Sequence, residues 1–584
     1  TEDNVNRAYG NIALKYDFKK NFNLTYRVGY DNYSEKQLYA QNKGGAYTPD
    51  GIMRTSIGNN TIWDQNLILN YSTDLNTDFK LNIDAGVNIR NDIFKQTGIL
   101  SAQQLVYGLL NHSNFINHQP LAEDGSALDY KSELQTIGAY LQGILSYKEY
   151  LFLNIGAREG FTSALEKENR SIFYPSGSLS FIPTTAIASL RDNKNINYLK
   201  LRAGYATSAE FPDPYSTRPV LGIATKVFVD GGGTSINTNS ISNRLPNLSL
   251  KPSLVKEFEA GIEGKFIDSR LNLDITYYNR RNNDQLLDRD LDPSTGYTVQ
   301  RINAGTVTNK GVELALGYTA VRSKNFRWQL DGLFSRNRSM VSDIPVDLKE
   351  IRTAGYTNLG NFAINGQPLG VIKGIAFQRA ADGQKIVAAN GWYLSDNSTS
   401  ILGDPNPDYK LTGITSLSYK ALSFRVQMEY TKGGDMYSAT SSVLLGRGVT
   451  RDTEFDRSLP IILPGVKDDK TPNDRQISST EAYFNNTVAG GSADEAGIYD
   501  ATNIRIREAS LSYNLPQKIL KNLPFGSLSL TISGTNLWYY APNFPKYVHF
   551  DPETSGFGVS NGKGLEFFTG PSSRRYGASL RVTF

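Results

Sequence analysis

Hydrophobic and polar residues alternate one by one over long stretches of this chain. Phe79, Leu81, Ile83, Ala85, Val87 and Ile89 alternate with Lys80, Asn82, Asp84, Gly86, Asn88 and Arg90. Leu271, Leu273, Ile275 and Tyr277 alternate with Asn272, Asp274 and Thr276, and Leu528, Leu530 and Ile532 with Ser527, Ser529, Thr531 and Ser533. The chain closes in the same way, with Tyr576, Ala578, Leu580, Val582 and Phe584 against Arg575, Gly577, Ser579, Arg581 and Thr583. A period of two marks strands with one apolar and one polar face. Around Ile504-Arg-Ile-Arg-Glu508 the apolar phase slips before Leu511 and Tyr513, which predicts a bulge or a strand end.

About seventeen strands are predicted, beginning near 7, 20, 61, 77, 132, 149, 171, 196, 253, 270, 301, 326, 411, 423, 503, 526 and 574. Short polar turns near 18–21, 76–78, 148–149, 268–270, 323–325 and 420–422 take turns with long segments near 97–130, 208–252, 341–409, 433–502 and 541–572. Only 184–195 breaks that parity, as a longer connection on the short-turn side. Compact domains rarely carry so many long loops. A transmembrane antiparallel β-barrel, with short turns at one rim and long loops at the other, does. The soluble alternative is a series of β-sandwich domains, for instance a secreted glycan-binding protein. Such domains would show linkers and no regular alternation of short with long.

Composition narrows the classes. Of 584 residues, 39% are hydrophobic, and no run of 18 apolar residues occurs, so a helical membrane protein is excluded while a barrel, whose strands are half apolar, is not. The mean hydropathy of -0.39 agrees. The 34 Tyr and 27 Phe, against 4 Trp, suit aromatic girdles. With no Cys there is neither disulfide nor thiolate metal site, and a net charge of +4 argues against nucleic acid as a partner. Thr1-Glu-Asp-Asn-Val5 is polar and carries no signal peptide. The expectation is that a signal has been removed or that the chain starts partway through a longer polypeptide.

Several motifs, in order, resemble the SusC-like (SusC/RagA) branch of TonB-dependent outer-membrane transporters. Leu250-Lys-Pro-Ser-Leu-Val-Lys-Glu257 with Phe258-Glu-Ala-Gly-Ile262 is similar to an "L-K-P-E…E-x-G" strand start. Asn303-Ala-Gly305, followed by Asn309-Lys-Gly311-Val-Glu313, resembles "N-x-G…N-K-G-x-E". Gly403 and Asp404-Pro405-Asn406-Pro407-Asp408-Tyr409 match "G-D-P-N-P-D-Y", with Gly433-Gly-Asp435 following. Arg505 to Pro516, Asn536-Leu-Trp538 and Asp551-Pro-Glu553 continue the series, and Phe584 resembles the terminal aromatic that serves barrel assembly. Gly204-Tyr-Ala-Thr-Ser-Ala209 departs from the family's Gly-Asn ending.

The resemblance implies a 22-stranded barrel with a plugged lumen, of which residues 1–584 are the C-terminal part of one barrel domain, with the plug and first strands absent. It further implies import of oligosaccharides or peptides across the bacterial outer membrane. The implied partners are a SusD-like surface lipoprotein, the TonB-ExbB-ExbD complex acting through the absent plug region, and outer-membrane lipid. The alternative is a structural or partner-binding barrel without import of its own.

No catalytic constellation is recognisable, so an enzyme is not expected, nor any cofactor or metal. His112, His118 and His549 are scattered in predicted loops without metal-site spacing. The glycine run ending at Gly233-Thr234 lacks the Lys-Ser/Thr of a phosphate loop. Asp404 to Asp408 reads as a proline-stiffened turn rather than a Ca²⁺ loop, and Asp468, Asp469, Asp474, Asp494 and Glu495 as solvated loop charge. Aromatic residues in the long segments, Trp392, Tyr393, Phe544, Tyr547, Phe557, Phe567 and Phe568, are the candidates for contact with substrate or partner. Trp328 and Trp538-Tyr-Tyr540 read as two interfacial girdles, and Lys80, Asp84, Arg90 and Arg581 should lie on the face away from lipid, where charge costs least.

Overall fold

A computed structural model of the chain describes residues 1–46, 48–122, 126–191, 193–222, 228–229, 235–236, 240–485, 492–521, 524–558 and 561–583. It forms two compact units: Thr1–Leu179, Gly204–Lys256 and Asn283–Asn303 make the first, and Ser180–Ala203, Glu257–Asn282 and Ala304–Phe584 the second. Seventeen long strands among the described residues start within five positions of those predicted, apart from the third, which starts at Ile52. The two short helices Pro183–Ala186 and Ala188–Arg191 fill the connection that broke the parity.

In the first unit, β1 (Glu2–Lys19), β2 (Phe22–Gln41), β3 (Ile52–Asp74), β4 (Phe79–Gln104), β5 (Tyr130–Tyr147) and β6 (Leu151–Thr162) pair antiparallel in sequence order. The β5–β6 turn has Lys148 at φ 47 and Glu149 at φ 59, the doubly left-handed geometry that matches hairpin twist. From β2 through β5 the register is unbroken, so each row of residues across the ladder keeps one face. One such face carries Leu24, Tyr26, Tyr30, Trp63, Leu67, Leu69, Val87, Ile137 and Leu141, all exposed. Rings gather at its short-turn end, where Phe22 meets Tyr71 at 4.5 Å and Phe79 meets Tyr147 at 4.7 Å. Toward the other end Tyr30 and Trp63 lie 4.6 Å apart. From Trp63 to Tyr71 the strand rises roughly 26 Å at about 3.3 Å per residue, of the order of the ~25 Å apolar band of outer-membrane barrels. The opposite face is polar: Asn70 donates to Asn82 Oδ1 and Asp84 Oδ1, Asn88 to Asn66, and Arg90 pairs with Asp92.

Four strands, β7 (Ser171–Phe181), β8 (Ile196–Glu210), β9 (Ser253–Phe266) and β10 (Leu271–Asn283), contain the unit boundaries. In the second unit, β11 (Thr306–Arg322), β12 (Phe326–Ser342), β13 (Tyr409–Tyr419), β14 (Leu422–Lys432), β15 (Asn503–Asn514), β16 (Ser527–Tyr540) and β17 (Arg575–Thr583) again pair antiparallel in order. Their apolar faces are likewise exposed: Leu316, Leu330, Leu411, Phe424, Leu511, Leu530, Ile532 and Leu580. Trp328 sits beside the short turn 323–325, and Trp538 stacks on Tyr540 at the far end of β16.

Two expectations are corrected here. The long segment predicted from 97 begins only after Gln104, because β3 and β4 stay paired up to Ile52↔Ala102. There the connecting segment covers both faces, with Leu100 packed on Ala122 and Leu128 and Ser101 fully buried, so the alternation is lost while the backbone ladder continues. The segments 341–409 and 433–502 are also not plain loops. Glu350–Gly355, Gly360–Ile364, Val371–Phe377 and Ser395–Gly403 form a four-stranded sheet. The second unit's buried apolar side chains lie mainly in these segments, including Ile351, Phe362, Val371, Ile372, Val387 and Met436. The ladder turns its apolar residues outward and the connecting segments turn theirs inward.

Candidate functional site

The long segments of the second unit are tied together at a few buried polar points. Asp435–Ser438 pairs antiparallel with Ile498–Asp500 and parallel with Leu565–Glu566. Glu566 there is fully buried. Its Oε2 accepts from Ser438 Oγ and the Thr440 amide, and its Oε1 from Thr440 Oγ1 and from the amide and hydroxyl of Thr569. A buried carboxyl group is tolerated when its lone pairs are filled in this way. Around it pack Leu359, Ile372, Tyr437, Ala439 and Leu565, with Ile498, Phe557 and Phe567 at the margin.

A second tie sits at the bulge predicted from the phase slip. Ile506 pairs with Met428 and Glu508 with Gln427, so Arg507 is the extra residue on β15. Arg505, fully buried, donates from Nη2 to Asp551 Oδ1 at 2.9 Å, and its Nη1 lies 3.1 Å from Glu553 Oε2 without hydrogen-bond geometry. Arg507 bridges Glu429 and Glu553, with Nη2 2.7 Å from Glu429 Oε1. Burial alone would raise the Asp551 carboxyl, but the hydrogen bond and charge of Arg505 hold it below the usual carboxylate range. The Arg505 and Asp551 motif residues therefore fasten segment 541–572 to the ladder.

The other motif residues also shape turns. Asn303 accepts the Lys251 amide and donates to the Lys251 and Asp284 carbonyls. Gly305, at φ 75, makes the turn into β11. At Gly311 a Cβ would meet the Tyr278 hydroxyl at 2.3 Å, so only glycine lets that ring lie flat on β11. Asn309 accepts from Asn337, and Glu313 lines a polar-face cavity of about 470 Å³ with Arg202, Asp274, Ser335 and Lys410. Asp404 accepts the Asn406 amide, Asn406 donates to the Leu369 carbonyl, and Asp408 pairs with Arg338 at 2.7 Å. Pro405, Pro407 and Tyr409 complete this turn into β13, with Tyr409 6.0 Å from Phe334.

The predicted aromatic contacts divide. Phe544 is buried, stacked on Tyr499 at 4.8 Å, and burial pushes the Tyr499 hydroxyl up to about 12. Phe557 and Phe567 meet edge to face at 6.0 Å, and Phe567 also meets Tyr356 and Tyr437. Tyr393 packs on Phe377, lies under Lys385 Nζ and donates to the Pro464 carbonyl. Trp392 is half-buried on the Asn390 turn. Tyr547 and Phe568 remain open, at 41% and 66% exposure. A cavity of about 550 Å³ lies beside them in sequence, lined by Tyr539, Val548, His549, Phe550, Ser572 and Arg574. Phe584 lies outside the described residues, as does the run ending at Thr234.

Three acid and histidine expectations need correction. His112 and His118 are not scattered, since Phe115–Gln119 folds back antiparallel on β4 and sets His118 opposite Ser101. Both Nδ1 atoms lie 2.7 Å from Ser101 Oγ, and His112 Nε2 lies 2.7 Å from Thr55 Oγ1. Asp494 is not solvated either: it is half-buried and takes the Ile375 amide, burial pushing its carboxyl up. Glu495 takes the Phe377 amide and pairs with Arg379. Sequence showed none of these contacts, because each joins segments distant in the chain. Asp469 caps Thr471 and Asp474 pairs with Lys467 in exposed turns. No group of three or more acidic or histidine side chains suited to a metal occurs among the described residues.

These features define an all-β protein whose strands expose apolar faces and whose long connections form a structured assembly. The model of the TonB dependent receptor-like β-barrel family matches residues 1–537, and the chain belongs to that family. It is 26% identical over 468 residues to TonB-dependent receptor P26 of Formosa agariphila, covering 75% of this chain and 45% of that protein. It is 24% identical over 487 residues to TonB-dependent receptor P3 of the same organism, covering 78% and 46%. The chain thus spans about half the length of the curated relatives it matches. Among solved structures, the RagAB peptide transporter matches with a TM-score of 0.73 at 16% identity, over 100% of this chain and 62% of the other. The fold is that of a TonB-dependent receptor barrel, as the motifs implied.

Proposed function

We propose that this chain is the barrel portion of an outer-membrane importer of oligosaccharides or peptides that works with a SusD-like surface lipoprotein. The observation that carries the reading is the division of labour between strand and loop. The strand faces offer lipid an apolar wall with aromatic rows, and the long segments hold a packed, polar-tied assembly at one rim. The fold likeness to a peptide transporter supports it. In this reading seventeen of 22 strands lie in this chain, and a plug domain completes the importer and receives force from TonB-ExbB-ExbD. Tyr547, Phe568 and the cavity between 536 and 574 are where capture of substrate or docking of the lipoprotein would occur.

The test is uptake of fluorescent oligosaccharides and oligopeptides of graded size by cells carrying or lacking the full-length protein, with and without TonB. Loss of uptake of one class in both deletions is expected, together with a surface lipoprotein that co-purifies with the tagged barrel. Unchanged uptake of every fraction would overturn the import reading and leave a structural or partner-binding barrel.

A further inference from the structure

The cavity of about 550 Å³ in the second unit is built from the far end of β16, the segment leading into β17 and the helix Ala439–Gly446. Its lining is of two kinds. Leu444, Val548, Phe550 and Pro571 supply apolar surface, and Asn536 and Arg574 supply hydrogen-bond donors. Arg338, Arg379, Arg505 and Arg507 each pair with a carboxylate. Arg574 is exposed, and among the described residues no carboxylate lies within ion-pair reach of it. Asn536 stands at φ 59 where the register of β16 shifts, and its side-chain amide has no hydrogen bond among the described residues. The acids nearby are already matched, Asp551 by Arg505 and Glu566 by its five donors. That leaves the guanidinium as the charge offered to the cavity. The walls are fixed in advance, since the Tyr539 hydroxyl donates to the His549 carbonyl and Asp551 ties the same segment to β15.

We infer that this cavity takes the C-terminal residue of an oligopeptide, its terminal carboxylate on Arg574 and Asn536 and an apolar side chain against Leu444, Val548 and Phe550. A guanidinium presents parallel N–H donors that match the two oxygens of a carboxylate. In a C-terminal residue the carboxylate and the side chain leave the same carbon, so one residue reaches both kinds of lining. In an internal Asp or Glu the charge is the side chain itself, and nothing remains for the apolar surface. An acidic sugar also carries a carboxylate, but it bears hydroxyls around its ring. Leu444, Val548, Phe550 and Pro571 would leave those hydroxyls without partners, which costs free energy on burial. An aliphatic or aromatic side chain meets the same surface with a gain. Walls held in place before binding lower the ordering cost of capture. The inference rests on the import reading proposed above and narrows its substrate to peptides read from the C-terminus.

The experiment uses the full-length protein in detergent and oligopeptides ending in Leu, labelled at the N-terminus and made both as the free acid and as the C-terminal amide. Fluorescence anisotropy reads binding. The free acid should bind roughly tenfold to a hundredfold more tightly than the amide, the range of hydrogen bonds to a charged group. Arg574→Gln should bring the acid down to the level of the amide and leave the amide unchanged, a split that a merely structural loss would not produce. Leu444→Ser should weaken peptides ending in Leu and spare those ending in Ser. Heat-dependent gel migration checks that each variant is folded. If Arg574→Gln is not, Arg574→Lys, which keeps the charge without the fork, should retain only part of the preference for the acid. Equal binding of acid and amide by the natural protein, or none, would overturn the site. So would a preference that survives in Arg574→Gln, or displacement of the peptide by an oligouronate. Uptake by cells separates the site from the wider reading. Peptides imported without regard to their C-terminus overturn the site and leave import standing, whereas peptides bound with the preference but never imported overturn import and leave the site.

Discussion

At the residue scale, aromatic side chains that look alike in sequence do opposite work. Phe544 is closed in by Tyr499 and Phe550, while Phe568 is open. Phe544→Ala should destabilise the 541–572 segment by about 3–5 kcal/mol, read as faster proteolysis there. Phe568→Ala should leave proteolysis unchanged and lower uptake or lipoprotein binding. Asp551 makes a pH prediction. Its folded pKa lies below its unfolded one, so its stabilising contribution is full above the ordinary carboxylate range and is lost as pH falls through the depressed folded value. Limited proteolysis of segment 541–572 should accelerate on acidification, and Arg505→Met should produce the same exposure already at neutral pH, since an unpaired buried carboxylate is left behind. Protection that does not change with pH would contradict this role.

At the scale of elements, the sequence revealed what repeats along one strand and missed what joins distant ones. Period-two alternation located the strands, and the slip before Leu511 located the bulge at Arg507, because both are local consequences of backbone geometry. The extension of β4 to Gln104 was not legible, since the connecting segment covers both of its faces, burying Leu100 and Ser101 alike, and no alternation marks them. Nor was the sheet between 350 and 403, whose strands carry short, continuous apolar runs such as Val371-Ile372. For the candidate site, the sequence could nominate Phe544 and Phe568 together but not tell them apart, because burial there is decided by Tyr499, far away in the chain. The Glu566 knot is the strongest case: five donors from Ser438, Thr440 and Thr569 meet one carboxylate that looks like ordinary loop charge. Glu566→Leu leaves those donors unpaired in a buried site and should release segments 433–502 and 541–572 together. Hydrogen exchange should then rise in both segments while the strands β14 to β16 stay protected.

At the scale of the whole molecule, the distribution of apolar surface sets the function. In each unit the ladder exposes leucines, isoleucines and aromatic residues in rows that water would not tolerate over such an area, and in the second unit the connecting segments bury most of theirs. That inversion is what a lipid-facing wall with a structured rim requires, and both proposals above depend on it. The measurement that tests it most directly is a nitroxide scan of β4 in the full-length protein in bilayers. The chain has no Cys, so a single cysteine at each position from 81 to 90 labels one site within it. Labels at 81, 83, 85, 87 and 89 should be accessible to oxygen dissolved in lipid, and those at 82, 84, 86, 88 and 90 should not, with a strict period of two. Uniform access to a water-soluble nickel reagent at the odd positions would contradict a membrane wall and with it the account of this protein as an outer-membrane barrel.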